Sequence, residues 1–188
     1  MRFTIPNILT FFRILAIPLV VFVFYLPFDW ARPASGILFG LAGITDWFDG
    51  YLARRLDQTT KFGAFLDPVA DKLIVATALV LLVQSDPTIL MSLISAVIIG
   101  REITVSALRE WMSEEGERSQ VSVTDFAKWK TTLQIFGVSF MLYEQPFVGL
   151  SLYGLGMLLL LVAVVLTLWS MLDYLRAAWP ILLRDDKR

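Results

Sequence analysis

Hydrophobic positions along the chain fall into six long runs. Each approaches the roughly 20 residues of helix that a ~30 Å hydrocarbon core requires. The pattern predicts spans over approximately 7–26, 33–54, 67–84, 87–111, 124–143 and 150–172. Pro27 and Asp29 end the first, and Ser122 or Thr124 suits the N-cap of the fifth. The sixth, "LSLYGLGMLLLLVAVVLTLWSML", is the most continuous, whereas the second, fourth and fifth carry charge in a terminal turn. Residues 1–6, "MRFTIP", are expected along the membrane surface. Arg13 interrupts the first run, and the run is long for the apolar core of a secretion signal. "ARPASG" at 31–36 resembles a cleavage site only loosely, so a cleavable signal is the weaker reading.

Six spans with both termini in the cytoplasm place fifteen of the 16 Lys and Arg residues on or near the inner side. Only Arg32 falls outside, the asymmetry that the positive-inside rule describes. An odd number of spans would scramble it. The expected architecture is therefore an all-α integral membrane protein with six transmembrane helices, one domain over 1–188 and no internal repeat.

Composition agrees and narrows the chemistry. Hydrophobic residues make up 57% of the 188, and a mean hydropathy of +0.69 lies outside the soluble-globular range. A net charge of −1 implies no partner by itself, and no nucleic acid is expected. The chain has no cysteine, which excludes disulfides and thiolate sites. It also has no histidine, which excludes imidazole bases, Ser-His-Asp triads and the histidine nucleophiles of phospholipase-D-like enzymes.

Against that background, "TDWFDGYLARRLDQTTKFGAFLDPVADK" (45–72) places four carboxylates at the edges of membrane runs. Asp46 and Asp49 are three apart, Asp67 and Asp71 four apart, and both spacings put a pair on one helix face. A hairpin of the second and third spans brings both pairs to one cytoplasmic level. Uncompensated charge at mid-membrane costs about 2.5–3.5 kcal/mol on insertion scales. Protonation could relieve it, as in a proton relay, or divalent cations could. Hard oxygen ligands suit Mg²⁺ or Mn²⁺, and two such ions roughly 3.5–4 Å apart suit in-line phosphoryl displacement. Gly50, Ala53 and Gly63 each stand one helical turn from an aspartate and remove bulk there. Arg54 could pair with a phosphate or with an aspartate. The bland alternative is a solvated loop with the aspartates as helix caps.

The string Asp46-x2-Asp49-Gly50-x2-Ala53-Arg54-x8-Gly63-x3-Asp67-x3-Asp71 resembles the signature of the CDP-alcohol phosphatidyltransferases at every position. "IPNILTFFRILAIPLVVFVFYLP", "REITVSALREWMSEEG" and "KWKTTLQ" extend the resemblance over most of the chain, toward the bacterial phosphatidylglycerophosphate synthases. Ala127 stands where that family commonly has Gly. The resemblance implies a six-helix membrane fold, usually a homodimer, in the bacterial cytoplasmic membrane with its site facing the cytoplasm. It implies a metal-dependent transfer from CDP-diacylglycerol to sn-glycerol 3-phosphate, releasing CMP. By the same resemblance, Asp46, Asp49, Asp67 and Asp71 bind two divalent ions. Asp71 also serves as general base, and Gly50, Ala53, Arg54 and Gly63 line the CDP pocket.

A phosphorylated acceptor needs cations. Arg101, Arg109, Lys128 and Lys130 lie on the cytoplasmic halves of the fourth and fifth spans. Guanidinium suits bidentate phosphate contacts and lysine acts as a point charge. Lys128 and Lys130 are about 200° apart on a helix, so they face different sides. Arg109 and Lys128 are the favoured contacts, followed by Lys130 and Arg101, with Thr131 beside Lys128 as a hydroxyl donor. The competing view is that each cation snorkels to lipid headgroups. Trp30, Trp111 and Trp179 suit interfacial belts. Two alternatives remain: another acceptor (serine, inositol phosphate or phosphatidylglycerol), or an aspartate-based carrier.

Overall fold

The computed structural model describes residues 5–56, 61–114 and 125–182. The side chains of 5–9, 46–56, 61, 62, 64, 114, 125–128, 177 and 180–182 lie outside that description. Among the described residues there are six helices and no strand: α1 (Ile5–Phe24), α2 (Ala31–Leu56), α3 (Lys61–Ser85), α4 (Ile89–Glu114), α5 (Asp125–Tyr143) and α6 (Leu152–Leu182).

Two boundaries differ from the apolar runs. Helix α3 begins at Lys61, so Asp67 and Asp71 lie inside the helix and do not open it. Helix α6 continues to Leu182, past the apolar run that ends near Leu172. Both extensions are largely apolar, KFGAFL at the start of α3 and DYLRAAWPIL at the end of α6, and the isolated charges that interrupt the apolar pattern there do not end a helix. Of the surface segment expected over 1–6, Ile5 and Pro6 belong to α1, and residues 1–4, like the expected cap at Ser122 or Thr124 and the tail from 183, lie outside the described residues. Thr88 and Ser151 cap α4 and α6, their hydroxyls accepting the backbone N–H groups of Met91 and Gly154 at 3.2 Å.

Pairwise contacts set the helix directions. Residue numbers rise together between α1 and α3 (Arg13 with Asp67, Tyr25 with Gln84) and between α4 and α6 (Arg101 with Ser170, Arg109 with Tyr174), so these pairs run parallel. They run opposite between α2 and α5 (Gly36 against Tyr143, Gly43 against Ile135), so this pair is antiparallel. The start of α1 and the end of α6 therefore lie at one end of the bundle. That end also carries Asp67, Asp71, Arg101 and Lys130.

The core is a band of apolar side chains, among them Phe39, Leu79, Leu82, Met91, Ile98, Leu142 and Leu160, all 0–1% exposed. Outward faces are equally apolar: Phe12, Leu15, Phe22, Val80, Leu93, Val165 and Trp169 are all exposed. Among the described residues, two helices, over Ile89–Ser113 and Leu152–Arg176, are long and apolar enough to cross a membrane. Apolar surface on both sides of such helices suits lipid as the surrounding solvent.

Lipid offers no hydrophobic gain for helix association, so close packing by small residues matters. A methyl group at Gly156 would sit 2.6 Å from the Gly137 carbonyl oxygen, and one at Gly36 2.6 Å from the Ser139 carbonyl oxygen. Both contacts are to backbone, which cannot rotate away. We expect Gly156→Leu to separate α5 from α6 and destabilise the fold by about 3 kcal/mol. Gly100→Ala meets nothing within 4 Å and should be neutral or stabilising by up to about 1 kcal/mol. Unfolding midpoints of the two variants in detergent check the contrast; equal midpoints would refute the backbone-contact argument.

Candidate active site

Helix α3 presents Gly63, Asp67 and Asp71 on successive turns, and the parallel α1 brings Arg13 beside the carboxylates. Arg13 Nη1 donates to Asp67 Oδ1 at 2.9 Å and also bonds Asp71 Oδ1. Thr10 Oγ1 donates to Asp67 Oδ1 at 3.5 Å from one turn earlier in α1. The Arg13 side chain is 1% exposed, whereas Asp67 and Asp71 are 44% and 38% exposed. The cation is thus anchored from behind, and the carboxylates keep an open side. Pro68 lies between them, and its missing N–H removes one helix hydrogen bond from that turn.

Sequence reading treated Arg13 only as an interruption of an apolar run. Its signal was present: Thr10 and Arg13 are three apart on one face. What it paired with could not be read locally, because Asp67 is 54 positions away.

Helix α2 runs unbroken through Asp46, Asp49, Gly50, Ala53 and Arg54, so each spacing is a true helical spacing. The side chains of these five lie outside the described residues. Upstream in α2, Ala42 and Gly43 line a cavity of about 230 Å³ together with Arg13, Asp71, Lys72, Glu102 and Thr131. Asp46 follows Gly43 by three positions, which is one further turn toward the carboxylate end.

Glu102 and Thr131 bring α4 and α5 to this cavity, and each directly follows a cation in sequence. Arg101 and Lys130 are buried, at 7% and 3% exposure. Both converge on Glu102 Oε1: Arg101 Nη1 is 2.5 Å from it and Lys130 Nζ 3.8 Å. Arg101 Nη2 also donates to Ser170 Oγ of α6 at 3.3 Å. Arg109 is exposed, with its guanidinium 5.8 Å from the Tyr174 ring centroid. Thr131 is exposed at the cavity and Lys128 stands in the first turn of α5, its side chain outside the described residues. Burial distinguishes Arg101 and Lys130 from snorkelling residues, whose heads reach outward. Glu102 was not singled out from sequence; an acid directly after a buried arginine in an apolar helix is the signal that could have found it.

Metal fit follows from the donor chemistry. Asp67 and Asp71 offer half-open carboxylates on one helix face, and the chain supplies no thiol or imidazole to compete. Hard divalent cations bind oxygen sets of this kind. Among the described residues no group of three ligating side chains occurs; the remaining two aspartates of the motif are those on α2.

An all-helical bundle with this aspartate string, beside a cavity lined by Arg13, Asp71, Lys72 and Glu102, suits an enzyme that works on phosphate esters. The sequence profile of CDP-alcohol phosphatidyltransferase matches residues 3–169, and the chain belongs to that family. Its members generally depend on metal. Among relatives, the chain is 52% identical over 178 residues to the CDP-diacylglycerol–glycerol-3-phosphate 3-phosphatidyltransferase of Salmonella choleraesuis, covering 95% of this chain and 96% of that one. It is 52% identical over 185 residues to the protein of the same name from Pseudomonas fluorescens, covering 98% and 94%. It is 51% identical over 178 residues to the one from Shigella flexneri serotype 5b, covering 95% and 96%.

Proposed function

We propose that the protein transfers the phosphatidyl group of CDP-diacylglycerol to sn-glycerol 3-phosphate, giving phosphatidylglycerophosphate and CMP. The observation that carries this reading is the meeting, at one cavity, of Asp71 on the α3 carboxylate face with Glu102, the carboxylate that pairs with the buried cations of α4 and α5. The names of the relatives point the same way.

Asp46, Asp49, Asp67 and Asp71 would hold the metal, as two Mg²⁺ or Mn²⁺ ions, which would offset the carboxylate charge and supply Lewis-acid stabilisation to phosphoryl oxygens. Gly50, Ala53 and Gly63 let the nucleotide lie close to the helices, and Arg54 contacts the oxygens on which leaving-group charge develops. Arg101, Arg109, Lys128 and Lys130 receive the acceptor phosphate, and Thr131 adds a hydroxyl. Asp71 takes the proton of the glycerol 1-hydroxyl. That oxygen bonds to the lipid-linked phosphorus while the bond to the CMP oxygen breaks.

The donor enters from the inner leaflet with its acyl chains in lipid. The reading includes six spans of the bacterial cytoplasmic membrane, both termini cytoplasmic and a homodimer. The alternating helix directions and the shared end of α1 and α6 support it.

The test is an acceptor screen with purified protein in detergent, CDP-diacylglycerol and Mg²⁺. CMP release with sn-glycerol 3-phosphate, at least ~10²-fold above serine, inositol phosphate or phosphatidylglycerol, is the expected result. Equal release with serine would overturn the acceptor. No CMP release with any alcohol would overturn the enzyme and favour a carrier.

A further inference from the structure

Glu102 sits at the edge of the cavity, and one of its oxygens faces both Arg101 Nη1 and Lys130 Nζ. We infer that Glu102 is a positioning residue for the acceptor phosphate, holding two buried cations in a fixed pair that a phosphate can bridge. The inference rests on the proposed acceptor reaction and deepens it.

Three observations carry it. The first is burial: Arg101 and Lys130 have side-chain exposures of 7% and 4%, and Glu102 has 32%. Two desolvated cations repel unless an anion stands between them, and the carboxylate is the member open to the cavity. The second is geometry. Arg101 belongs to α4, Lys130 to α5, and Arg101 is also tied to Ser170 of α6. Glu102 therefore links the cations of two helices through a single atom, while Ser170 restrains the guanidinium from the other side. The third is location. Glu102 and Asp71 line the same cavity, as does Thr131, so the carboxylate that pairs with both cations shares a wall with Asp71.

Charge gives the arrangement a specificity. Arg101 and Lys130 with Glu102 leave a net positive charge, which a phosphate anion offsets and an uncharged alcohol does not. Lys130 lies within electrostatic range of Arg101, Glu102 and Arg109 alike, so the four groups form one field. Without Glu102 the same cations would separate to lower their repulsion, and their spacing would no longer match a phosphate.

The test is a steady-state and binding comparison of wild type, Glu102→Ala and Glu102→Gln. Glu102→Ala is expected to raise KM for glycerol 3-phosphate at least tenfold, with kcat and the KM for CDP-diacylglycerol changed less than threefold. Glu102→Gln keeps an acceptor oxygen for Arg101 but no charge for Lys130, and should fall between. Calorimetric titration of glycerol 3-phosphate into donor-free protein should show the same order of affinities. Unchanged KM for the acceptor in both variants overturns the inference. So does an equal loss for both substrates that tracks a lowered unfolding midpoint, which marks a purely structural role. If Glu102→Ala does not fold, Glu102→Gln alone decides between these outcomes. Wild-type protein that works only with a different phosphorylated alcohol overturns the acceptor, and the Glu102 variants are then read on that alcohol. Wild type that uses only an unphosphorylated alcohol overturns both.

Discussion

Asp71→Asn is expected to leave a folded protein that releases CMP at least about 10³-fold more slowly than wild type. Asparagine has nearly the shape of aspartate, and its carbonyl oxygen can still accept from Arg13. Asp67 continues to pair with Arg13 at 2.9 Å, so the buried cation keeps an anionic partner. The fold therefore loses little. Chemistry loses two things at once: the proton acceptor, itself worth about 10²–10⁴ in rate, and one anionic ligand of the proposed metal site. CMP release and the unfolding midpoint, measured on the same preparation, separate the two effects. Excess EDTA should silence the wild type to a similar level. Wild-type turnover in the Asn variant, or turnover that persists in EDTA, would end the assignment of Asp71 and the metal.

Arg13→Met should act in the opposite place, on the fold itself. Arg13 is almost fully buried and supplies a positive charge to Asp67 and Asp71 together. Methionine fills similar space without charge, leaving two carboxylates on one helix face with less compensation. Breaking a buried pair by removing one partner costs about 3–5 kcal/mol. The lower value, about 3 kcal/mol, applies because both aspartates remain partly open. Arg13→Lys should recover only part of this, since an ammonium on a shorter reach cannot match a guanidinium between two acceptors. Adding Asp67→Asn to Arg13→Met should restore stability, because one of the two uncompensated charges is then gone. Chemical unfolding in detergent gives the three midpoints. A wild-type midpoint for Arg13→Met, or no gain in the double variant, would show that the pair does not support the bundle.

These two predictions mark where local and non-local information divide. The spacings in the aspartate string were legible because helical periodicity is a property of neighbours in sequence. Once α2 and α3 are helices, Asp46 and Asp49 share a face, and so do Asp67 and Asp71. The order of the six helices was legible for a similar reason, since each carries an apolar run continuous in sequence. Helix ends were not. Lys61 to Leu66 and the last turns of α6 are helical although the charges of Lys61, Asp67, Asp173 and Arg176 interrupt the apolar runs there.

The site divides in the same way. Composition alone reduced the available chemistry to carboxylates, cations, hydroxyls and metal, because the chain lacks histidine and cysteine. From sequence, Arg109 and Lys128 were favoured as acceptor contacts over Lys130 and Arg101, although each cation by itself was as suited to a headgroup as to a substrate. Burial separates Arg101 and Lys130 from Arg109, and their shared carboxylate on Glu102 gives the pair a direction. Sequence by itself determined that this is a family of helices carrying an aspartate motif with phosphoryl-transfer chemistry. Only the tertiary structure decided that Arg13 belongs to Asp67 and Asp71, and that Glu102 organises two cations from different helices. The reason is physical: a helix periodicity depends on residues a few positions apart, whereas the partner of a buried charge depends on the register in which distant helices pack.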